Sequence, residues 1–176
     1  MARAADGGAA LVELKAVDSA YPLYGAVVLD PPGPLADALA VRDGVAGAVA
    51  DESLFARLDL MPGARLSIGN AQVEVRAVLK AEPDKLAGGI GFGPRLMISE
   101  AALRATGLIQ PGSLVRWHYR VRVPGGDAGD RATNAIVTAS EQQFPDAGWE
   151  VRTRANASPA LGRNIERFTQ YLTLVG

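Results

Sequence analysis

Residues 88–94 read Gly-Gly-Ile-Gly-Phe-Gly-Pro and hold four of the chain's 20 glycines. A glycine-rich loop cradles phosphate when its backbone N–H groups converge at the start of a helix. Here Gly89, Gly91 and Gly93 are spaced G-x-G-x-G, and Pro94 leads into Arg-Leu-Met-Ile, a strand-like run. Pro-Arg also stands where a P-loop needs Gly-Lys. The stretch therefore reads as a pliable loop between strands, with Ile90 and Phe92 as apolar tips for a partner contact. His118 is the single histidine. It lies between arginines in a strand-like run, and no G-x-S-x-G elbow accompanies it, so a solvated histidine is the reading rather than a triad base. With no cysteine and one histidine, ordinary zinc sites are excluded. No D-x-D-x-D-G calcium loop is present. The expectation is no catalytic residue, no cofactor and no metal. Two groups remain. Arg116, Arg120 and Arg122 form a row that suits an anion or a lipid headgroup, or a solvated face paired with acids such as Glu74 or Glu150. Tyr21 and Tyr24 flank Pro22 in Tyr-Pro-Leu-Tyr-Gly, either as a contact corner or as packing around the proline.

The chain that must position these groups has 176 residues, 48% hydrophobic and 21% charged, enough for one domain or two small subdomains. A net charge of −1 lacks the basic balance of a nucleic-acid binder, so no nucleic-acid partner is expected. The opening MARAADGG has no apolar core of a signal peptide. No apolar run approaches the roughly 20 residues that span a bilayer.

Alternation predicts strands at 9–15 and 26–29, the second stopped by Asp30-Pro31-Pro32. Residues 35–39 read as a helical turn or loop, and 46–50 as a buried strand. Asp51 is placed to cap a short helix over 52–58. Residues 65–68 and 72–79 form a hairpin around Gly69-Asn70, with Val73, Val75, Ala77 and Leu79 on one face. Strand 95–98 runs into a helix capped by Ser99 and ended by Gly107. Helix, Pro-Gly turn and strand thus recur at 52–68 and 100–115, which reads as shared turn chemistry. Residues 114–123 have the clearest period of two, with Val115, Trp117, Tyr119, Val121 and Val123 opposite the arginine row. A helix over 132–144, with Ile136, Val137 and Phe144 inward, and a strand over 149–153 complete a strand–helix–strand pattern. Last, Ser158 and Pro159 start a helix whose Leu161, Ile165, Phe168, Leu172 and Val175 form one apolar stripe.

Three stretches together carry a resemblance: LKAVDSAYPLYGAVVLDPP at 14–32, the block at 48–99 containing DESLFARLDLMPGARLSIG, and TGLIQPGSLVRWHYRVRVP at 106–124. Their specificity lies in order and length, not in a catalytic motif. The chain resembles the extracytoplasmic domain of bacterial ABC transporter permeases of the MacB/FtsX type. It is most similar to the branch with a predicted link to lysophospholipase biosynthesis. The resemblance implies an α+β fold like MacB-type periplasmic core domains. Residues 10–114 would be a β-rich subdomain with two short helices. Residues 115–176 would be a smaller mixed α/β membrane-proximal part ending in a stalk helix at 158–175. Family members carry a strand–helix segment ahead of the point where this chain begins, which would leave one sheet with a missing neighbour. The resemblance further implies a periplasmic domain of an inner-membrane protein. Such a domain is non-enzymatic and couples cytoplasmic ATP hydrolysis to export or extraction of a lipid, lipoprotein or other envelope substrate. Its partners would be a cytoplasmic ABC ATPase subunit, a second permease copy and a periplasmic accessory or hydrolase-like protein. The alternative is a free periplasmic binding module for a lipid or acyl ligand. An apolar stretch of about 20 residues beyond Gly176 would separate the two readings.

Overall fold

The computed structural model describes residues 1–84, 93–123 and 129–153. In these residues lie nine strands: β1 (Ala2–Ala4), β2 (Ala9–Ala10), β3 (Glu13–Val17), β4 (Val28–Asp30), β5 (Val41–Arg42), β6 (Val45–Asp51), β7 (Ala64–Ile68), β8 (Ala71–Ala81) and β9 (Arg95–Ser99). The helices are α1 (Leu35–Leu39), α2 (Glu52–Leu58), α3 (Glu100–Ala105) and α4 (Gly129–Gln143). A mixed sheet with a few helices makes this an α+β fold, as the sequence led us to expect. The chain divides into two compact units, Met1–Arg120 and Val121–Gly176.

In the first unit the strands form one sheet in the order β2-β1-β7-β8-β6-β9-β3, with β4 added to β8 and β5 to β6. The centre is mixed: β6 runs parallel to β8 and antiparallel to β9, while β9 runs parallel to β3. Apolar side chains cover both faces. On one, Leu54 and Leu58 of α2 and Ala102 of α3 pack over Ala48, Ala50, Leu66, Ile68, Leu96 and Ile98. On the other, Leu39 of α1 packs with Val17, Leu29, Val49 and Met97.

The β7–β8 hairpin forms as the alternation predicts, and Gly69 takes a positive φ of 55° at its turn. Its long strand departs from the expected single face. Ala48 pairs with Val75 and Val49 with Ala77, which leaves Arg76 between the two pairs. One extra residue reverses the side on which later side chains fall. Val73 and Val75 therefore enter the first core, while Ala77 and Leu79 enter the second. The Arg76 side chain is 7% exposed. Its Nη1 donates to the Ala40 carbonyl at 2.6 Å and its Nε to Glu74 at 2.8 Å, which pins the end of α1 against the sheet.

Other expectations change. The single strand expected over 9–15 is two strands, β2 and β3. The segment around 26–29 is paired as Val28–Asp30. Ser99 caps α3 as expected, its Oγ accepting from the Ala102 N–H at 3.1 Å. Asp51 makes no capping bond to α2; its Oδ2 accepts from the Arg95 N–H instead, at 3.2 Å. In the row, Arg120 meets Asp84, and the ion pairs of Glu74 and Glu150 run along their own segments. Each of these glutamates holds the arginine two residues on, Arg76 and Arg152.

The largest correction concerns residues 114–123, which form no strand. Alternation assigns side chains to faces, but a strand exists only through a ladder to a neighbour. No described strand pairs with this segment, and Leu114, Trp117, Tyr119 and Val121 are exposed. The second helix–turn unit, α3, is accordingly not followed by a strand as α2 is. Residues 149–153 likewise form none. Of the strand–helix–strand pattern, only α4 forms. In the second unit Ile136 and Phe144 are exposed rather than inward, and the Phe144 ring lies 5.2 Å from that of Trp149. The stalk helix expected at 158–175 lies outside the described residues.

Candidate functional site

Strand pairing builds the site. Residues two apart on a strand share a face, which places Glu13 and Lys15 of β3 together. The parallel register sets Glu13 beside Arg95 of β9. The chain leaving β8 brings Glu82 and Asp84 to the same end. Arg95 Nη1 meets Glu13 Oε1 at 2.6 Å, and Arg95 Nε donates to Glu82 Oε1 at 2.9 Å. Lys15 Nζ donates to Glu82 Oε2 and to Asp84 Oδ1, each at 2.7 Å, and to the Tyr21 hydroxyl at 2.9 Å. The ammonium also lies 4.4 Å from the centroid of the Tyr21 ring, a cation–π contact. Tyr21 Oη donates to Asp84 Oδ1 at 2.6 Å, and Arg120 Nη2 to Asp84 Oδ2 at 3.2 Å.

Burial differs sharply along this network. The Glu82 side chain is 1% exposed and Asp84 16%, whereas Arg120 is 49% exposed. A buried carboxylate survives only when its charge is matched and its lone pairs are filled. Lys15 and Arg95 do that for Glu82. Burial raises the Tyr21 hydroxyl well above the usual phenol value, and the hydrogen bond to Asp84 and the nearby carboxylates push the same way. Burial alone would also raise the Asp84 carboxyl, but hydrogen bonds from Lys15 and Tyr21, with the charges of Lys15 and Arg120, hold it below the ordinary range. Tyr21 thus stays a hydrogen-bond donor and Asp84 an acceptor through the neutral range.

An open cleft of about 300 Å³ lies against the network, lined by Tyr21, Pro22, Leu23, Tyr24, Gly25, Pro83, Asp84 and Arg120. The Tyr21-Pro22 bond is cis, and Gly25 has a φ of +74°. A Cβ on Gly25 would come within 2.7 Å of Pro83 Cβ, so the wall needs glycine there. Tyr21 and Tyr24, singled out from the sequence, line this one cleft. Tyr24 is 59% exposed, while Tyr21 also packs against the second core. Packing is therefore present at Tyr21, while Tyr24 is an exposed part of the cleft wall. Ile90 and Phe92 lie outside the described residues, as do Leu161, Ile165, Phe168 and Leu172. Sequence reasoning missed Lys15, Glu82, Asp84 and Arg95. The one local signal was Glu-Pro-Asp directly after an alternating strand, a placement of acids at a strand end. Among the described residues, no group of three His, Cys, Asp or Glu side chains is placed to hold a metal ion.

Over 164 residues, 93% of its length, the chain is 30% identical to a protein of Escherichia coli strain K12 described as an uncharacterized ABC transporter permease, YbbP. It spans 19% of that relative's length. The chain is thus homologous to part of an ABC transporter permease. No family model matches it, and no solved structure gives a significant match. Among the described residues, no helix is long and apolar enough to cross a membrane.

Proposed function

We propose that this chain is the periplasmic domain of an ABC transporter permease of the MacB/FtsX type, in the branch linked to lysophospholipase biosynthesis. The observation that carries the reading is the match to a permease over 93% of the chain but 19% of the relative. A segment of that size without a membrane-crossing helix in its described part fits a domain carried outside the bilayer. The domain contacts partners or substrate and does no chemistry of its own. A cytoplasmic ATPase subunit drives a pair of permease copies. The apolar helix expected at 158–175 relays the movement outward, since a helix satisfies its backbone internally and moves as a rod. The cargo is a lipid, lipoprotein or other envelope molecule, and a periplasmic accessory or hydrolase-like protein receives it.

Sidedness is the direct test. The chain has no cysteine, and Met61 is 75% exposed. Met61→Cys in the full permease, with other cysteines replaced, is expected to react with a membrane-impermeant maleimide in cells whose outer membrane alone is permeable. Reaction only after lysis of the inner membrane overturns the reading.

A further inference from the structure

We propose that the cleft beside Tyr24 binds an extended peptide of a partner protein. A carboxylate of that peptide sits on Arg120, and a proline-like residue lies against Tyr24 and Pro83. The inference rests on the periplasmic contact-domain reading and names the partner chemistry for it.

Charge gives the first argument. Glu13, Glu82 and Asp84 face Lys15, Arg95 and Arg120, so the network is balanced. Yet Glu82 is buried and the Asp84 side chain is 16% exposed, while Glu13, 35% exposed, does not line the cleft; of the charged groups that do line it, the one left half in water is Arg120. The cleft therefore shows a positive group to solvent. Asp84 is filled on both oxygens, by Lys15 and Tyr21 on one and by Arg120 on the other. It acts as a fixed backstop that orients the guanidinium. Arginine carries five N–H donors in a planar fork, and the bond to Asp84 engages Nη2 alone. The remaining donors match a carboxylate, and an arginine already held in place loses less freedom on binding it.

The walls give the second argument. Tyr24, Pro22 and Pro83 make an aromatic and proline surface, and the Gly25 backbone approaches Pro83 too closely for any side chain between them. Surfaces of this kind suit extended, polyproline-like peptides, which are nearly pre-formed before binding. The cleft is open and half polar, whereas an acyl chain needs an enclosed apolar slot. A lipid is therefore the outcome the geometry disfavours.

The test uses isotope-labelled chain and four probes followed by amide and tyrosine NMR signals. These are acetyl-Ala-Pro-Glu-Pro-Ala-amide, its Gln counterpart, acetyl-Ala-Pro-Pro-Ala with a free C-terminal carboxylate, and oleate. The Glu peptide or the free-carboxylate peptide is expected to shift Tyr24 and Gly25 saturably, and the better of the two identifies the carboxylate's source. Loss of the carboxylate, or Arg120→Gln, should weaken binding about tenfold, the size of one charge-assisted hydrogen bond. Arg120→Lys should restore part of it. Both variants must keep the wild-type denaturation midpoint, and Tyr24→Ala supplies an independent loss of binding. Equal binding of Glu and Gln peptides together with no binding of the free-carboxylate peptide, unchanged binding in Arg120→Gln, saturation by oleate alone, or no shift with any peptide overturns the proposal. None of these results touches the maleimide result at position 61, so the two ideas fail separately.

Discussion

Glu82 joins two cations that come from different strands. Its Oε2 takes Lys15 and its Oε1 takes Arg95, and the side chain is 1% exposed. Removing one member of a buried ion network leaves the others charged in a poor solvent. Glu82→Ala is expected to lower unfolding stability by about 3–5 kcal/mol. Arg104→Ala, which breaks the Glu100–Arg104 pair on the outer face of α3, should cost under about 0.5 kcal/mol, because water screens an exposed i,i+4 pair. Urea denaturation of both variants checks the contrast, and equal losses would show that Glu82 does not organise this end of the sheet. Little of the site was legible beforehand, and the reason is distance along the chain. Lys15 lies 67 residues from Glu82 and 69 from Asp84. No local pattern links such positions; they become neighbours only once β3, β8 and β9 are placed in register. Tyr21 was visible because an aromatic beside a proline is a local feature.

Elements were legible where the pattern and the partner lay close together. The β7–β8 hairpin needs only alternation and Gly69-Asn70, and α3 only Ser99 and Gly107. A stronger local signal was passed over: Asp43-Gly44 joins β5 to β6 with positive φ values of 50° and 77°, the geometry of a two-residue hairpin turn. Residues 114–123 fail for the opposite reason, since their pattern is the cleanest in the chain and no described strand pairs with them. The seating of α1 depends on a glycine whose role is steric. A Cβ on Gly47 would lie 1.9 Å from the Ala38 carbonyl oxygen and 2.5 Å from Arg76 Nη1. Gly47→Ala must push α1 and the arginine away, and a loss of about 1–3 kcal/mol is expected, the usual cost of overpacking. Thermal unfolding measures it. A midpoint unchanged from wild type would mean that α1 is not seated there.

At the scale of the molecule, Met1–Arg120 contains all nine described strands, both apolar clusters and every lining residue of the cleft. A fragment ending at Arg120 should therefore fold by itself, with one cooperative transition at the midpoint shown by the same strands in the full chain. Circular dichroism on the fragment tests this, and an unfolded product would show that the sheet depends on residues 121–176.

The reversal at Arg76 sets a rule for how such a sequence can change. Before it, β8 supplies one core; after it, the other. Loops on the rim can gain or lose residues while the sheet stays as it is. Between Val75 and Ala77 the length of the chain is itself information. One codon more or fewer there would turn Ala77 and Leu79 toward the wrong side and leave Arg76 with no carbonyls to hold. That single-residue count must be inherited intact.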